Sequence, residues 1–233
     1  MKPRDFKDSI FEQLARVGAA FSSPKRVEII ELLAQGERTV ESVAAATGMS
    51  VANTSRHLSV LRNSGLVSSR REGLYVFYRI SEGSVVTTFQ ALRTLAESRL
   101  AEVRQLAEAF FSEVDGAEPI GIERLLARAA SDDVIVIDVR PRLEYEAGHL
   151  PGAVSIPLDE LPARLVEIDR DHGVVAYCRG PYCVMSAEAV TQLRLAGMEA
   201  QRLVGGPLEW REAGLPIVVG PSSDEVALAA STN

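Results

Sequence analysis

A short polar break near the middle of the chain, from Asp115 to Pro119, limits the possible folds more than any other feature. Before the break, apolar residues recur at helical spacing; after it, short helical patterns alternate with β-branched runs. A chain of 233 residues is long enough for two modest domains with separate cores. We therefore predict four segments: a first domain over 1–112, a linker over 113–119, a second domain over 120–220 and a disordered tail over 221–233.

Composition and charge narrow the class of protein. The chain is 46% apolar and 24% charged, as in soluble globular proteins, and no apolar run is long enough for a membrane span. The N-terminus is charged and lacks the apolar core of a secretion signal, so we expect a cytoplasmic protein without a membrane partner. Residues 1–82 hold 12 Lys and Arg against 9 Asp and Glu, and the remainder holds 13 against 23. This asymmetry suggests that only the first half meets a polyanion.

The pattern of the first half predicts a helix–turn–helix followed by a two-stranded ribbon. Ser23-Pro24 is a strong helix start, and Ser50 is a good N-cap for a later helix. The predicted elements are helices over 8–20, from Pro24 to about Gly36, 40–46 and 51–63, and strands over 66–71 and 74–80. Together they make a mainly α winged helix-turn-helix domain.

A further helix is predicted from about Glu82 to Phe111, a stretch without proline in which apolar residues recur at helical spacing. Such a helix would be roughly 40 Å long and too apolar on one side to stand alone. We expect it to form the seam of a homodimer, although docking on the first helix of its own chain is an alternative.

The helix from Ser50 to Asn63 is the candidate for reading DNA bases. Thr54, Leu58 and Leu61 share one face, which should be the core side. Asn53, Arg56 and Ser59 are predicted to lie away from it. Asn and Arg side chains suit bidentate readout of adenine and guanine. The predicted DNA contacts are Ser50, Asn53, Ser55, Arg56, His57 and Ser59 on the helix, and Arg70 and Arg71 on the wing. His57 could instead fill the space between helices, and the whole module could instead dock a protein.

Residues Ser50 to Val67 resemble the recognition helix and wing start of ArsR-type repressors, and Ser23 to Leu33 resembles the family's second helix. The resemblance covers about residues 5–110 and implies a dimeric winged-helix repressor that leaves its operator when an inducer binds. Many members sense metals through Cys or His. Here residues 1–110 contain no cysteine and only one histidine, His57, so we expect no metal site and no cofactor.

The second half predicts an α/β domain with a mainly parallel sheet. Its predicted elements are helices over 122–130, 161–168 and 186–196, and strands over 134–138, 174–177 and 201–204. Both cysteines of the chain, Cys178 and Cys183, lie between a predicted strand and a predicted helix. Loops at such strand ends commonly hold sites, and N–H groups ahead of a helix stabilise a thiolate.

Four motifs of this half, in order, resemble rhodanese domains over about residues 118–219. They are Asp138-Val139-Arg140 with Glu144-Tyr145, then Gly148 to Ala153 with Ile156-Pro157, then Cys178-Arg179-Gly180, and finally Gly205-Gly206 with Trp210. The resemblance implies a sulfurtransferase fold in which Cys178 accepts sulfane sulfur as a persulfide. Its active-site loop would comprise Arg179, Gly180, Pro181, Tyr182 and Val184. We interpret Asp138, Arg140, Glu144 and His149 as scaffold, and Arg179 as either attracting an anionic donor or a solvated rim charge.

The active-site loop departs from the common pattern at its sixth position, where Cys183 replaces a frequent arginine. This disfavours the phosphatase and arsenate-reductase relatives of the fold, which need Cys-x5-Arg to bind a tetrahedral oxyanion. Cys183 is either an inert apolar residue or a resolving thiol that attacks the modified Cys178.

The sequence as a whole predicts a homodimeric repressor of double-stranded operator DNA whose rhodanese-like domain senses reactive sulfur through Cys178. The donor would be a small molecule such as thiosulfate or polysulfide. One alternative is a sulfurtransferase enzyme with the winged helix as a scaffold. Another is a redox or arsenite sensor that uses Cys178 and Cys183.

Overall fold

The computed structural model describes residues 1–114, 116, 118–131 and 133–221. Two positions of the predicted linker, Asp115 and Ala117, lie outside the described residues, as does the predicted tail from position 222 onward. The chain divides into two compact units, Met1–Arg99 and Leu100–Asn233, and each is described by itself. Within the described part of the chain, no helix is both long and apolar enough to cross a membrane.

The first unit is a winged helix-turn-helix, as predicted. Its elements in chain order are α1 (Pro3–Ala20), α2 (Pro24–Ala34), β1 (Arg38–Thr39), α3 (Val40–Thr47), α4 (Val51–Asn63), β2 (Val67–Glu72), β3 (Tyr75–Ile80) and α5 (Gly83–Arg99). The strands form an antiparallel sheet in the order β1-β3-β2. Gly73 has a φ of 59° at the turn between β2 and β3, a conformation that favours glycine.

The core of this unit holds the turn between α3 and α4 in place. Ile29 and Ile30 of α2 pack in one cluster with Leu58 and Leu61 of α4, and all four are fully buried. Burying side chains of this size stabilises a fold by about 1.5–3 kcal/mol each. The polar side of α4 is thereby fixed toward solvent.

The helix predicted from Glu82 to Phe111 is two helices in the structure. α5 ends at Arg99, and α6 (Ala101–Val114) begins after Leu100. Val85 and Phe89 of α5 are buried in the core of the first unit. α6 instead packs within the second unit, where Phe111 lies against Arg202. The packing of each half against its own unit accounts for the interruption, which no proline or glycine signals in the sequence.

The second unit has the predicted α/β architecture. After α6 come α7 (Ile122–Ala129), β4 (Val134–Asp138), α8 (Arg142–Ala147), β5 (Val154–Ser155), α9 (Leu161–Arg164) with a 3-10 turn (Leu165–Glu167), β6 (Gly173–Tyr177), α10 (Val184–Leu195), β7 (Ala200–Arg202) and α11 (Pro207–Glu212). The sheet order is β5-β4-β6-β7, and every neighbouring pair is parallel.

Successive side chains of β6 point to opposite faces of the sheet, and this alternation determines the face on which Cys178 lies. Val174 and Ala176 face one core cluster, together with Cys178 and the inner side of α10. Val175 and Tyr177 face the other cluster, on the opposite side of the sheet. Cys178 therefore lies at the carboxyl edge of a central strand, on the side covered by α10.

Candidate functional site

The exposed side of α4 carries the side chains predicted to read bases. Ser50 precedes the helix, and its hydroxyl accepts a hydrogen bond from the backbone N–H of Asn53 at 3.3 Å. Asn53 and Arg56 are exposed, whereas Thr54 on the opposite side is fully buried. The helix is thus oriented as the sequence pattern predicted.

The remaining predicted contacts of α4 are less exposed. Ser55, His57 and Ser59 are each half-buried, including Ser59, which was expected to lie on the outward side with Asn53 and Arg56. Their contact with DNA stays a prediction. Both interpretations of His57, a phosphate contact or a filler between helices, are compatible with this intermediate burial.

The wing presents its two predicted arginines in different settings. Arg70 forms an ion pair with Glu37 at 2.6 Å and a second one with Glu72, and its guanidinium lies 4.4 Å from the ring centre of Phe77. The hydrogen bonds to Glu37 and Glu72 raise the pKa of Arg70 above its usual value. Arg71 is exposed, and its Nε donates to the carbonyl of Gly73 at 3.3 Å. The charge of Arg70 is therefore partly neutralised before any DNA arrives.

The sulfur loop joins the two cysteines of the chain. Cys178 follows β6 directly and is fully buried, and Cys183 is half-buried immediately before α10. The two are bonded as a disulfide with their Cα atoms 6.3 Å apart. This separation lies within the usual range of roughly 4.4–6.8 Å, so the six-residue loop accommodates the bond. The N–H of Cys183 donates to the carbonyl of Gly180 at 3.1 Å, which folds the loop into a turn.

The glycine pair predicted to close the domain forms the wall behind this loop. A Cβ atom on Gly206 would lie only 2.1 Å from the carbonyl oxygen of Cys178. The N–H of Gly206 donates to the carboxylate of Glu209 at 2.7 Å, at the start of α11. Trp210 of the same helix is buried, and its indole N–H donates to Pro216. Position 206 therefore needs glycine because the loop backbone occupies the space of a side chain.

Arg179 is held by an acid that the sequence interpretation placed in the scaffold. Its Nη2 and Nε lie 2.7 and 2.9 Å from the carboxylate of Glu144, whose side chain is only 1% exposed. The guanidinium is thus a largely buried ion-pair partner, with 20% of its side chain exposed, rather than a solvated rim charge. It ties the sulfur loop to α8, and no sequence pattern indicated this contact because the partners are 35 residues apart. The attraction of an anionic donor by Arg179 stays a prediction.

The scaffold roles predicted for the other charged residues agree with the structure. Arg140 is fully buried, and its Nη2 reaches the carboxylate of Asp138 at 2.5 Å and the carbonyl of Gly148 at 2.8 Å. Burial opposes the charge of Arg140, but the negative charge and hydrogen bonds of Asp138 raise its pKa overall. His149 is buried and stacks on Tyr145. Among the described residues, no cluster of His, Cys, Asp and Glu could hold a metal ion.

Comparison with known proteins assigns a family to each half of the chain. Residues 23–69 match the model of the "Bacterial regulatory protein, arsR family", and residues 122–213 match the "Rhodanese-like domain". The HTH-type transcriptional regulator Rv0324 of Mycobacterium tuberculosis is 46% identical over 218 residues, which cover 93% of this chain and 95% of that protein.

Two further relatives each match one half. A protein of Allochromatium vinosum named "Sulfurtransferase" is 37% identical over 101 residues, which cover 42% of this chain and 92% of that protein. The solution structure of a domain from Mycobacterium bovis, described as a homodimeric winged helix-turn-helix DNA-binding domain, is 40% identical with a TM-score of 0.40 and covers 44% of this chain and 93% of that domain. The chain thus belongs to the arsR family of bacterial regulatory proteins, as a transcriptional regulator with a C-terminal rhodanese-like domain.

Proposed function

We propose that this regulator is a homodimeric, cytoplasmic repressor that binds operator DNA through α4 and the wing and responds to sulfane sulfur at Cys178. The observation that carries the sensing half is the meeting of both cysteines in one loop, between the central strand β6 and the N-terminus of α10. The other half of the same chain presents a polar helix side suited to the major groove.

DNA binding is supported by the exposure and chemistry of α4. Asn53 and Arg56 combine exposure with side chains that can each make two hydrogen bonds to one base. Arg71 on the wing is exposed, and a wing cation suits a neighbouring phosphate. Replacing Arg56 with Ala should weaken operator binding by about 1–3 kcal/mol and relax specificity at one base pair.

The matched control for Arg56→Ala is Arg104→Ala, which removes an equal charge from an exposed position of α6, outside the winged helix. Both variants are titrated against the DNA upstream of the protein's own gene. Equal affinities of Arg56→Ala and the wild type would remove α4 as the reading helix.

Dimerisation is supported by the apolar side chains that are exposed on two helices of the first unit, α1 and α5. On α1 these are Phe6, Ile10, Phe11, Leu14 and Val17, between 38% and 60% exposed. On α5, Leu92 and Leu95 are 38% and 56% exposed. Apolar faces of this kind favour a protein partner, and a second copy would give the twofold symmetry that paired operator half-sites require.

The sulfur chemistry needs only the two thiols and a donor of the hydropersulfide class, RSSH. The reduced Cys178 thiol takes the outer sulfur, so that Cys178-SH and RSSH give Cys178-SSH and RSH. The Cys183 thiol then attacks the inner sulfur, and the products are the Cys178–Cys183 disulfide and hydrogen sulfide. The disulfide of the structure corresponds to the final state of this sequence.

Mass spectrometry of the loop peptide tests this chemistry. After treatment of the reduced protein with polysulfide, the wild type should carry the disulfide, and Cys183→Ser should accumulate one added sulfur atom on Cys178. Cys178→Ser should carry neither. A persulfide that accumulates equally in the wild type and Cys183→Ser would show that Cys183 is an inert residue rather than a resolving thiol.

A sulfurtransferase enzyme is the second candidate, favoured by the 37% identical relative named for that activity. Steady turnover of thiosulfate to an acceptor, without operator binding, would support it. A redox or arsenite sensor is the third candidate, since the same thiols are adjacent in space. Titrations with polysulfide, peroxide and arsenite distinguish these candidates. Because peroxide can close the same disulfide, a sulfur sensor should change its operator affinity at a lower concentration of polysulfide than of peroxide, and arsenite should leave the affinity unchanged.

A further inference from the structure

Helix α6 is bound to the second unit by contacts at its C-terminal end. The guanidinium of Arg202 lies 3.8 Å from the ring centre of Phe111. The hydroxyl of Thr191, on α10, lies 2.9 Å from the carbonyl oxygen of Val114 and 3.0 Å from that of Ala187, and it shares its one proton between these two acceptors. Val103 and Ala107 are half-buried on the same side of the helix. A cation–π contact and one hydrogen bond are individually weak, so α6 is held by a small number of modest interactions.

The helix that α6 contacts is the one that follows the sulfur loop. α10 begins at Val184, the residue after Cys183, and Thr191 lies two turns further along it. At its other end, α6 is separated from α5 by the single residue Leu100. α5 contributes Val85 and Phe89 to the core of the winged helix. One short helix therefore connects, through covalent bonds and contacts, the element next to the disulfide with the DNA-binding unit.

A groove of about 540 Å³ separates α6 from the loop itself. Ala107, Glu108, Phe111 and Ser112 of α6 line one side, and Pro181 and Tyr182 line another. Pro181 and Tyr182 lie between the two cysteines, within the ring that the Cys178–Cys183 bond closes. Tyr182 is 38% exposed and lines the groove.

We propose that α6 is the element that transmits the state of the cysteine pair to the DNA-binding unit. This inference rests on the proposed sensing function and names its route. With the disulfide closed, Pro181 and Tyr182 form the wall of the groove and α6 stays docked on Arg202 and Thr191. With the pair reduced, the loop is no longer a closed ring, Tyr182 enters the groove, and Phe111 loses its place over Arg202. α6 then changes its contacts within the second unit. Because only Leu100 separates the two helices, this change reaches the C-terminal end of α5.

Hydrogen exchange of the full-length chain tests the first step without DNA. The amides of 101–114 should exchange more slowly in the disulfide form than in the form reduced with dithiothreitol, and exchange within α4 should serve as the internal reference. Equal exchange of 101–114 in the two forms would overturn the proposal, whatever the operator affinity does. A change in exchange with no change in operator affinity would refute the sensing function alone.

Phe111→Ala, with Leu106→Ala as the matched control, tests the second step. Leu106 lies on the same helix but is 73% exposed. Both variants should form the disulfide to the wild-type extent after polysulfide treatment. The ratio of operator affinities between the reduced and treated forms should fall toward one in Phe111→Ala and keep its wild-type value in Leu106→Ala. A wild-type ratio in Phe111→Ala would contradict the proposal.

Thr191→Val is a milder second variant, in case removal of the Phe111 ring prevents folding. It deletes the hydroxyl that bonds Val114 but keeps the shape of the side chain. It should reduce the affinity ratio at least twofold without changing disulfide formation. An unchanged ratio in both Thr191→Val and Phe111→Ala would exclude α6 as the route.

Discussion

The wing and the sulfur loop each contain an arginine that is paired with a glutamate in the structure. Arg70 on the wing pairs with Glu37, and their side chains are 49% and 26% exposed. Arg179 on the loop pairs with Glu144, and their side chains are 20% and 1% exposed. The same pair of residue types therefore occurs once at a solvated surface and once largely within the protein.

The difference in burial gives the two pairs different roles. A solvent-exposed pair typically gains about 0–1 kcal/mol, although the two nitrogens that Arg70 offers to Glu37 and its second pair with Glu72 place it at the upper end of this range. Removing one partner of a buried pair leaves a poorly solvated charge, which costs about 3–5 kcal/mol. Arg179 is thus a structural tie of the sulfur loop, whereas the contact of Arg70 with DNA stays a prediction.

Glu144→Gln should cause the largest loss of stability. A small loss would contradict the difference between the buried pair and the exposed pair. The substitution removes the charge that holds Arg179 while keeping the size of the side chain. The free energy of unfolding of the rhodanese-like domain should fall by about 3 kcal/mol, measured by urea titration. A loss below about 1 kcal/mol, the upper end for exposed pairs, would mean that the loop pair behaves like the pair of the wing.

Gly206→Ala should have the next largest effect, because its Cβ would lie 2.1 Å from a backbone oxygen of the sulfur loop. Backbone must move, and such overpacking costs about 1–3 kcal/mol. The matched control is Gly173→Ala, whose Cβ would meet the flexible end of Arg128 at 2.3 Å. Thermal unfolding should separate the two variants, and equal stabilities would show that the loop is not rigidly held.

Ser50→Ala should destabilise the reading helix by about 1 kcal/mol, since Ser50 caps α4 through the N–H of Asn53. Ser50→Asn, which keeps a capping side chain, should restore most of the loss in a urea titration. If Ser50→Ala weakens DNA binding and Ser50→Asn restores stability without restoring binding, the hydroxyl also contacts DNA. Failure of Asn to restore stability would contradict the capping role.

Glu37→Gln should change stability least, by under about 1 kcal/mol, because the pair it breaks is exposed. It should nevertheless strengthen operator binding at low salt, since Arg70 loses a competing carboxylate. If Arg70 then engages one more phosphate, the slope of log affinity against log salt concentration should steepen by about one unit. An unchanged affinity together with an unchanged slope in fluorescence anisotropy titrations would contradict a competition between Glu37 and DNA for Arg70.

The features predicted correctly from the sequence depend on local pattern. Ser23-Pro24 gave the start of α2, although the Ser23 side chain makes no capping hydrogen bond. Ser50 caps α4, and the predicted core positions Thr54, Leu58 and Leu61 are its buried residues. The β-branched run from Val134 to Asp138 is the strand β4, with bounds as predicted. The spacing of apolar residues and the helix caps are local signals. They predict the elements correctly because the same apolar residues form the core.

The features that the sequence did not predict depend on contacts between distant positions. Glu37 and Glu144 lie 33 and 35 residues from their arginines, so no spacing rule could pair them. The interruption at Leu100 has no helix-breaking residue; α5 packs in the core of the first unit and α6 within the second, and neither contact is visible in the sequence. Charge roles and helix continuity are therefore the parts of a sequence interpretation that most need the structure.

The most direct test of sulfur-dependent regulation is one fluorescence anisotropy titration of upstream DNA with the full-length protein, first reduced and then treated with polysulfide. We predict that treatment changes the affinity about 5- to 150-fold, that dithiothreitol reverses the change, and that Cys178→Ser shows none. An affinity of the wild type that polysulfide leaves unchanged would contradict the account.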